Sequence, residues 1–212
     1  MPLEFEYEFY DFDKKKIINK LKNLGAKKKG AFIFKVIVFT HPLNIENSYI
    51  RIRDEGHRTT FTYKMKDPKS NFENEDEVII DNFDAGVKIL LNLGCKKKYY
   101  YEKIREIWIL KNSEIVFDTN PGEPDRMEVE SQTKKELDNL TKELNLVINK
   151  EEHDPLIDLF GLVIPKSVDL RFETVKKDLS SLVKKNKTLF NKLVTDQLKL
   201  YNKICAKNLK KI

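Results

Sequence analysis

The sequence predicts an α+β protein in which many short antiparallel strands form a barrel or a strongly curved sheet with helices beside it. Three observations support this prediction: an internal repeat, a series of short strands with alternating polarity, and charged side chains of one sign on individual strands. The chain has 212 residues, of which 40% are hydrophobic. That length is sufficient for one domain with an appendage.

An internal repeat appears in the first half of the chain. Residues 4–29 and 75–98 each contain an acidic pair, a Phe-Asp step, the tripeptide Asn-Leu-Gly and three lysines, in the same order. The aspartates of the Phe-Asp steps, Asp13 and Asp84, are predicted to cap the N-termini of two helices, and the glycines to follow their C-termini. Each repeat then leads to a strand with two basic residues, which indicates an architecture of two similar halves.

The individual elements follow from apolar periodicity and turn signals. Strands rich in Ile, Val, Tyr and Phe are bounded by turn residues, whereas helices have apolar residues at helical spacing. The predicted strands lie near 3–10, 31–39, 48–54, 58–66, 72–80, 99–109, 114–119 and 125–131, and the predicted helices near 13–24, 84–93 and 133–144. A further short helix is expected within 151–161.

Charged residues share one face of most predicted strands. Side chains alternate along a strand, so Glu4, Glu6 and Glu8 point to one side and the aromatic residues between them to the other. An ordinary half-buried strand, with its charges in solvent, would explain any single case. The signs nevertheless segregate, because some strands are purely acidic and others purely basic, such as the strand with Arg51 and Arg53. If the charges face inward, acidic rows lie opposite basic rows across a shared bore.

Such a bore indicates a ligand that satisfies both signs. Unpaired buried charges are costly, so the bore should be wet or filled. Basic side chains bind phosphate oxygens, and carboxylates hold Mg²⁺ or Mn²⁺. A polyphosphate with divalent cations therefore fits. The sequence has no Walker motif, no cluster of His and Cys ligands and only 7 glycines, which argues against a cradle of backbone amides for the phosphates.

The positive charge is concentrated in the C-terminal segment. The net charge is +6, but residues 174–212 contain eleven lysines and two aspartates, a net +9, which leaves −3 for residues 1–173. We expect 1–173 to form the domain and 174–212 a Lys-rich helical extension with an apolar stripe. The preferred interpretation is that this helix packs on the barrel. The alternatives are contact with RNA or an anionic membrane, or pairing with another helix in an oligomer.

Three features predict a cytoplasmic protein that does not associate with membranes. The N-terminus is acidic without a signal-peptide pattern, and no apolar run is long enough to span a bilayer. Cys95 and Cys205 have neither metal-ligand spacing nor the pattern of a disulfide framework, which is typical of a reducing compartment.

A set of short motifs occurs in a fixed order along the chain. It comprises E-x-E at Glu4 and Glu6, NLGA at 23–26, YIRIRDEG at 49–56, TTFTYK at 59–64, E-x-E at Glu75 and Glu77, a second NLG, EKIRE at 102–106 and VFDTNPGEPDRMEVES at 116–131. This set resembles the CYTH family, the triphosphate tunnel metalloenzymes, which include class IV adenylyl cyclases, thiamine triphosphatases and inorganic triphosphatases. With a weaker similarity at 159–173, the resemblance covers about residues 1–173.

The resemblance implies a closed eight-stranded antiparallel β-barrel, a tunnel with flanking helices that binds triphosphate in its middle. It implies that Glu4, Glu6, Glu128 and Glu130 hold a divalent metal, Mg²⁺ or Mn²⁺. It also implies catalytic roles for Glu75, Glu77, Asp118 and Lys64, and phosphate binding by Arg51, Arg53, Lys64, Lys103 and Arg105. Lys66 would extend the basic row of Lys64, and Arg126 would add a further basic group.

One position departs from the family's pattern. The first motif of the family is E-x-E-x-K, and Glu8 stands in place of the lysine. Either Lys66 or Arg126 compensates for the missing charge, or Glu8 takes part in metal binding, or the activity is altered.

The preferred functional interpretation is metal-dependent hydrolysis of a triphosphate-containing small molecule or an RNA 5′ end. The substrate could be inorganic triphosphate, a nucleoside triphosphate, thiamine triphosphate or a 5′-triphosphorylated RNA. The alternatives are an adenylyl cyclase of class IV type, which makes cyclic AMP from ATP, and a non-catalytic module that binds polyphosphate or nucleotide. Glu8 favours the non-catalytic alternative.

Overall fold

Eight strands form one sheet in the computed structural model, which describes residues 3–70, 72–148 and 154–208. They are β1 (Leu3–Phe9), β2 (Lys27–Thr40), β3 (Ser48–Asp54), β4 (Thr59–Lys66), β5 (Glu73–Ile80), β6 (Lys96–Leu110), β7 (Ser113–Thr119) and β8 (Arg126–Ser131). Every neighbouring pair is antiparallel, and the sheet closes in the order β1-β5-β4-β3-β2-β6-β7-β8. The predicted α+β class and the closed eight-stranded barrel are confirmed.

Helices flank the barrel and follow it. In the described residues they are α1 (Lys14–Asn23), α2 (Phe83–Asn92), α3 (Lys134–Glu143), α4 (Pro155–Phe160), α5 (Val175–Leu179) and α6 (Lys187–Asn208). The short helix expected within 151–161 corresponds to α4, while residues 151–153 of that prediction lie outside the described residues. Within the ranges that the structure describes, no helix combines the length and the apolar character needed to cross a membrane.

The two helices of the repeat begin differently. The side chain of Asp13 accepts a hydrogen bond from the Lys16 amide at 3.0 Å, so the predicted cap of α1 is confirmed. The cap of α2 is Asn82, which accepts from the Ala85 amide at 2.9 Å, and the predicted cap Asp84 is wrong. Asn82 has the extended backbone that a cap requires, whereas Asp84 already lies in the first helical turn.

β2 and β6 are both longer than their sequences suggested. Predictions of 31–39 and 99–109 excluded the lysines that precede them, yet the observed strands begin at Lys27 and Lys96. The two strands pair along nearly their whole length, from Lys27 opposite Ile109 to Thr40 opposite Lys96. Backbone pairing continues through the lysines because their long side chains reach solvent while the main chain stays in the ladder.

On most strands the apolar side faces outward, and helices cover part of it. β2 is an exception, because its Phe34, Val36 and Val38 are paired with inward-facing residues and lie beneath the basic side chains of the bore. α1 and α3 pack over one part of the barrel, where Leu21 and Leu137 are buried with Ile115 and Met127. α2 packs over another part, where Leu90 is buried with residues of β2 and β3. With the apolar residues on the outside, the charged residues of the same strands point into the bore.

The C-terminal segment continues along the barrel. Leu170 accepts a hydrogen bond from the Glu102 amide at 2.8 Å and donates one to the Tyr100 carbonyl at 3.0 Å, so this segment lies parallel to β6. Ile204 of α6 packs with Ile104 and Phe172, and α6 therefore contacts the barrel. The division into units at residue 173 stays a prediction.

Candidate functional site

The bore of the barrel is a cavity of about 720 Å³ lined almost entirely by charged side chains. The acidic ones are Glu4, Glu6, Glu8, Glu73, Glu75, Glu77, Glu114, Glu128 and Glu130, and the basic ones are Arg51, Arg53, Arg58, Lys64, Lys66, Lys103, Arg105 and Arg126. Of the site residues predicted from sequence, Asp118 alone does not line this cavity; it is fully buried beneath Lys103 and Arg105. Acidic and basic rows therefore face each other across a shared bore, as their alternation predicted.

Carboxylates cluster where β1 lies beside β8. Glu6 is directly opposite Glu130, and Glu8 is opposite Glu128, although the two strands are far apart in sequence. One carboxylate oxygen from each of Glu4, Glu6 and Glu130 lies within 4.8 Å of the others, and the same holds for Glu6, Glu8 and Glu128. Glu6 belongs to both groups and occupies the centre of the cluster.

The crowding of these carboxylates opposes their ionisation. Burial, together with the charges of Glu128 and Glu4, raises the pKa of Glu6 to about 8. Burial and the nearby Glu4 and Glu114 raise the pKa of Glu130 to about 7. A cation among them would relieve this repulsion. Because every donor is a carboxylate oxygen, the cluster fits a hard divalent ion such as Mg²⁺ or Mn²⁺.

A buried network next to this cluster is centred on Asp118. Lys103 Nζ lies 2.7 Å from Asp118 Oδ2, and Arg105 Nε donates to Asp118 Oδ1 at 2.8 Å. Burial alone would raise the pKa of Asp118, but Arg105 and Lys103 hold it well below its usual range. Asp118 therefore stays ionised and fixes the orientation of both cations.

Glu128 is held by two arginines. Arg105 donates a hydrogen bond to one of its carboxylate oxygens, and Arg126 Nη2 lies 2.7 Å from the other. Arg126 Nη1 is also 3.1 Å from Glu8, whose side chain is 43% exposed. Arg126 thus lies beside the glutamate that replaces the lysine of the family's pattern.

A second network lines the bore on β3, β4 and β5. Arg51 Nη2 lies 3.5 Å from Glu75 and 3.4 Å from Glu77, and Arg53 Nη2 is 3.3 Å from Glu77. Lys64 contacts Glu4 and lies 2.7 Å from Glu75. The basic row is thereby joined to the acidic cluster through Lys64.

Three arginines that line the bore each have one buried donor without an acceptor. Among the described residues, the Nε atoms of Arg51, Arg53 and Arg126 have no hydrogen-bond partner and are shielded from solvent. A buried N–H without an acceptor is unfavourable, and the charged guanidinium groups of these arginines suit an anionic ligand with several oxygens. Lys66, at the end of β4, is exposed and lies at the edge of the same cavity.

Sequence reasoning missed the aromatic part of the lining. Tyr49 precedes Arg51 and Arg53 on one face of β3, and Tyr99 and Tyr101 precede Lys103 on one face of β6. The alternation that grouped the charged residues also applied to these tyrosines. To predict these tyrosines, aromatic side chains would have to be counted among the residues that face the bore, together with the charged ones.

Residues 4–155 match the family model described as the CYTH domain. This chain belongs to the CYTH domain family. The resemblance inferred from the ordered motifs is thereby confirmed. No curated protein sequence matches this CYTH protein.

Several solved structures resemble this CYTH protein. PH1012 from Pyrococcus horikoshii OT3 is 23% identical with a TM-score of 0.61, over 72% of this chain and 94% of its own. A putative adenylate cyclase from Vibrio parahaemolyticus is 16% identical with a TM-score of 0.62. The match covers 72% of this chain and 94% of the cyclase. HpAC1 is a putative adenylyl cyclase from Hippeastrum that is described as having a dominant triphosphatase activity. It is 13% identical with a TM-score of 0.52, and the match covers 79% of this chain and 99% of HpAC1. At these identities the similarities concern the fold alone.

Proposed function

We propose that this CYTH protein hydrolyses a triphosphate-containing substrate with the help of a divalent metal ion. One observation supports this proposal above all: a cluster of carboxylates shares one cavity with arginines and lysines. A metal-bound polyphosphate satisfies both sides at once. The description of HpAC1, which names a dominant triphosphatase activity, agrees with this assignment.

Glu4, Glu6 and Glu130 are the residues that we assign to metal binding. Mg²⁺ or Mn²⁺ bound there would neutralise phosphate charge and polarise the reacting phosphoryl group. Glu128 could join them through the second group of carboxylates, although Arg105 and Arg126 already contact both of its oxygens.

The basic side chains bind and orient the substrate in this proposal. Arg51, Arg53 and Lys64 donate hydrogen bonds to one part of the triphosphate. Arg105 and Arg126 donate to another part, so that the three phosphates lie extended along the bore. These groups stabilise the negative charge that shifts to the leaving phosphate. Asp118 acts through Lys103 and Arg105, which it holds in position.

The remaining acidic side chains are assigned to the attacking water. Glu75 and Glu77 lie on β5 and hold Arg51 by ion pairs. Carboxylates so placed can accept hydrogen bonds from a water and orient it for in-line attack. Lys103, whose pKa burial and the neighbouring Arg105 lower to about 8, can donate a proton to an oxygen of the leaving group near neutral pH.

The decisive experiment measures phosphate release from a panel of triphosphates. The panel contains inorganic triphosphate, ATP, thiamine triphosphate and a 5′-triphosphorylated RNA, each with Mg²⁺, Mn²⁺ or EDTA. We expect metal-dependent release by the native chain. We expect Glu6→Gln and Glu128→Gln to lower kcat/KM about 100-fold or more, because the first removes the central oxygen donor for the metal and the second removes the carboxylate that holds Arg105 and Arg126.

Glu143→Gln is the matched control, because Glu143 is exposed on α3, outside the barrel. The kcat/KM of this variant should stay within about twofold of that of the native chain. Activity that survives EDTA, or full activity of Glu6→Gln, would refute the metal assignment. Cyclic AMP and pyrophosphate from ATP would identify a cyclase. Tight binding without turnover across all metals would identify a non-catalytic module.

A further inference from the structure

The glutamate at position 8 lies near the end of β1, where this strand pairs with β8. Glu8 is directly opposite Glu128 in that pairing. A lysine at position 8, as in the family's pattern, would therefore project from β1 beside the Glu128 carboxylate. With a glutamate there, two carboxylates lie opposite each other, which is destabilising unless another element supplies a positive charge.

Arg126 brings a positive charge to this place from β8. It lies two residues before Glu128 on the same face of the strand and lines the bore. Its Nη1 lies 3.1 Å from Glu8, and its Nη2 lies 2.7 Å from Glu128 and 3.6 Å from Asp118. A single guanidinium, which stays charged at any ordinary pH, therefore joins carboxylates from three strands.

Both oxygens of the Glu8 carboxylate have partners. Oε1 pairs with Arg126 Nη1, and Oε2 accepts a hydrogen bond from the Tyr10 hydroxyl at 3.4 Å. The two oxygens of Glu128 are likewise held, by Arg105 and Arg126. A metal ion at these two glutamates would have to displace the arginines that already compensate their charge.

The other lysine near the bore does not reach this place. Lys66 lies opposite Glu73 in the pairing of β4 with β5, and Glu73 lies opposite Glu4 in the pairing of β5 with β1. The row that starts at Lys66 thus leads to the beginning of β1. Glu8 lies about 13 Å further along that strand, at a rise of about 3.3 Å per residue. Of the two basic residues that the sequence left open as compensation, the contacts select Arg126.

We propose that Arg126 carries the positive charge that the family's pattern places at position 8, and that Glu8 is a positioning residue for Arg126 and not a ligand of the metal. Glu8 holds Nη1, so the planar guanidinium is fixed with Nη2 at Glu128. Each of these nitrogens has a second hydrogen that it can donate to a phosphate oxygen. This inference rests on the triphosphate site proposed for the bore. The glutamate at position 8 then gives no reason to prefer a non-catalytic module.

A double-mutant cycle tests the positioning role. Calorimetry with Mn²⁺ measures the dissociation constant of an inorganic triphosphate analogue in which methylene groups replace both bridging oxygens, so that it resists hydrolysis. The proteins are the native chain, Glu8→Gln, Arg126→Gln and the double variant. We expect Arg126→Gln to weaken binding about tenfold or more and Glu8→Gln about fivefold. In the Arg126→Gln background, Glu8→Gln should no longer weaken binding, because no arginine remains to be oriented.

Equal weakening by Glu8→Gln in both backgrounds would overturn the inference. Arg126→Lys takes the place of Arg126→Gln should that variant fail to fold. It keeps the charge, but its single nitrogen does not bridge Glu8 and Glu128 as a guanidinium does. Glu8→Gln should therefore lose most of its effect in the Arg126→Lys background as well.

Moving the positive charge back to β1 tests the exchange of residues. Glu8→Lys added to Arg126→Gln should strengthen binding of the analogue about tenfold, because the lysine then lies opposite Glu128. In the native background the same substitution places a cation against Arg126 and should change binding by no more than about threefold. A folded double variant that binds no better than Arg126→Gln alone would refute the exchange. Glu143→Lys, the same change of charge on the exposed surface of α3, is the matched control and should stay within about twofold in both backgrounds.

The affinity for Mn²⁺ alone separates positioning from metal binding. It is measured by electron paramagnetic resonance of the free ion. Glu8→Gln should stay within about twofold of the native chain, whereas Glu6→Gln, at a proposed ligand, should weaken Mn²⁺ binding about tenfold or more. A loss for Glu8→Gln as large as that for Glu6→Gln would identify Glu8 as a ligand and contradict the inference.

These measurements separate the inference from the proposed function. Phosphate release by the native chain, together with independent effects of the two substitutions in the cycle, would refute the inference and leave the triphosphatase intact. Binding of the analogue without phosphate release from any triphosphate would refute hydrolysis, and the cycle would still decide on Glu8 and Arg126. A native chain that does not bind the analogue would refute both.

Discussion

Glu6 is the residue whose ionisation depends most directly on what occupies the bore. It lies opposite Glu130 and belongs to both groups of clustered carboxylates. Its carboxyl has a pKa of about 8 against an ordinary value of 4.5, and that of Glu130 is about 7. Both groups therefore retain protons in the folded protein at a pH where the unfolded chain has lost them.

This difference predicts that the metal-free protein loses stability as the pH rises from about 5 to about 8. A carboxyl with a raised pKa in the folded state binds more protons when folded, so its contribution is greatest at low pH and is lost as the pH passes through the folded value. We expect the titration of Glu6 and Glu130 together to lower the free energy of unfolding by several kcal/mol across this window. Urea denaturation with EDTA at several pH values measures it.

Two controls accompany this measurement. Glu6→Gln should flatten the pH dependence, because the variant lacks the central titrating group. Mg²⁺ should raise the melting temperature of the native chain more at about pH 8 than at about pH 5, since the cation competes with protons for the same oxygens. A free energy of unfolding that rises across this window would contradict the assignment. The pKa of Lys103 is lowered to about 8. Its titration therefore raises the free energy of unfolding as the pH increases, but only above about pH 8.

At the scale of elements, the two helices of the repeat have different caps despite similar sequences. Asp13 caps α1, whereas Asn82 caps α2 and Asp84 lies in the first turn. Both helices are followed by a glycine with positive φ, Gly25 at +84° and Gly94 at +86°, as the repeat predicted. The repeat therefore marks equivalent helices without fixing the residue at which each begins.

The difference in capping can be measured. Asn82→Ala removes the side-chain acceptor of the Ala85 amide and should lower the free energy of unfolding by about 1 kcal/mol. Asp84→Ala removes only a favourable charge near the helix N-terminus and should cost about 0.3 kcal/mol or slightly more. Chemical denaturation of both variants provides the comparison. A larger loss for Asp84→Ala would restore the aspartate as the cap.

At the scale of the whole molecule, the C-terminal helices complete a second core. Leu156 and Phe160 of α4 are buried together with Val175, Leu179 and Phe190, which lie beyond residue 173. Gln197 and Ile204 connect α6 to the loop at 120–123 and to the barrel. The helices of the Lys-rich extension therefore support the barrel.

Neighbouring residues of α6 test this support. Phe190 is 0% exposed and packs edge-to-face on Phe160, whereas Leu189 is 50% exposed. Phe190→Ala should lower the free energy of unfolding by about 3–5 kcal/mol, and Leu189→Ala by about 0.5 kcal/mol or less. Thermal unfolding followed by circular dichroism measures both. A loss for Phe190→Ala as small as that expected for Leu189→Ala would show that this part of α6 contributes little to the stability of the chain.

The sequence by itself determined which side chains share a face. Orientation along a strand is local and alternates with period two, so Glu4 and Glu6, or Arg51 and Arg53, had to point the same way. The sign of each row followed from the same pattern. Most strands and the fold class could therefore be predicted, together with most of the charged residues that line the bore, whereas the lining tyrosines were missed.

The tertiary structure alone decided which rows meet. Closure of the barrel places β1 beside β8, so that Glu6 faces Glu130. The segment around Leu170 likewise lies against β6. These juxtapositions depend on hydrogen bonds between segments far apart in sequence, and no local pattern encodes them. The full length of β2 and β6 has the same origin, because each extends the other through backbone pairing.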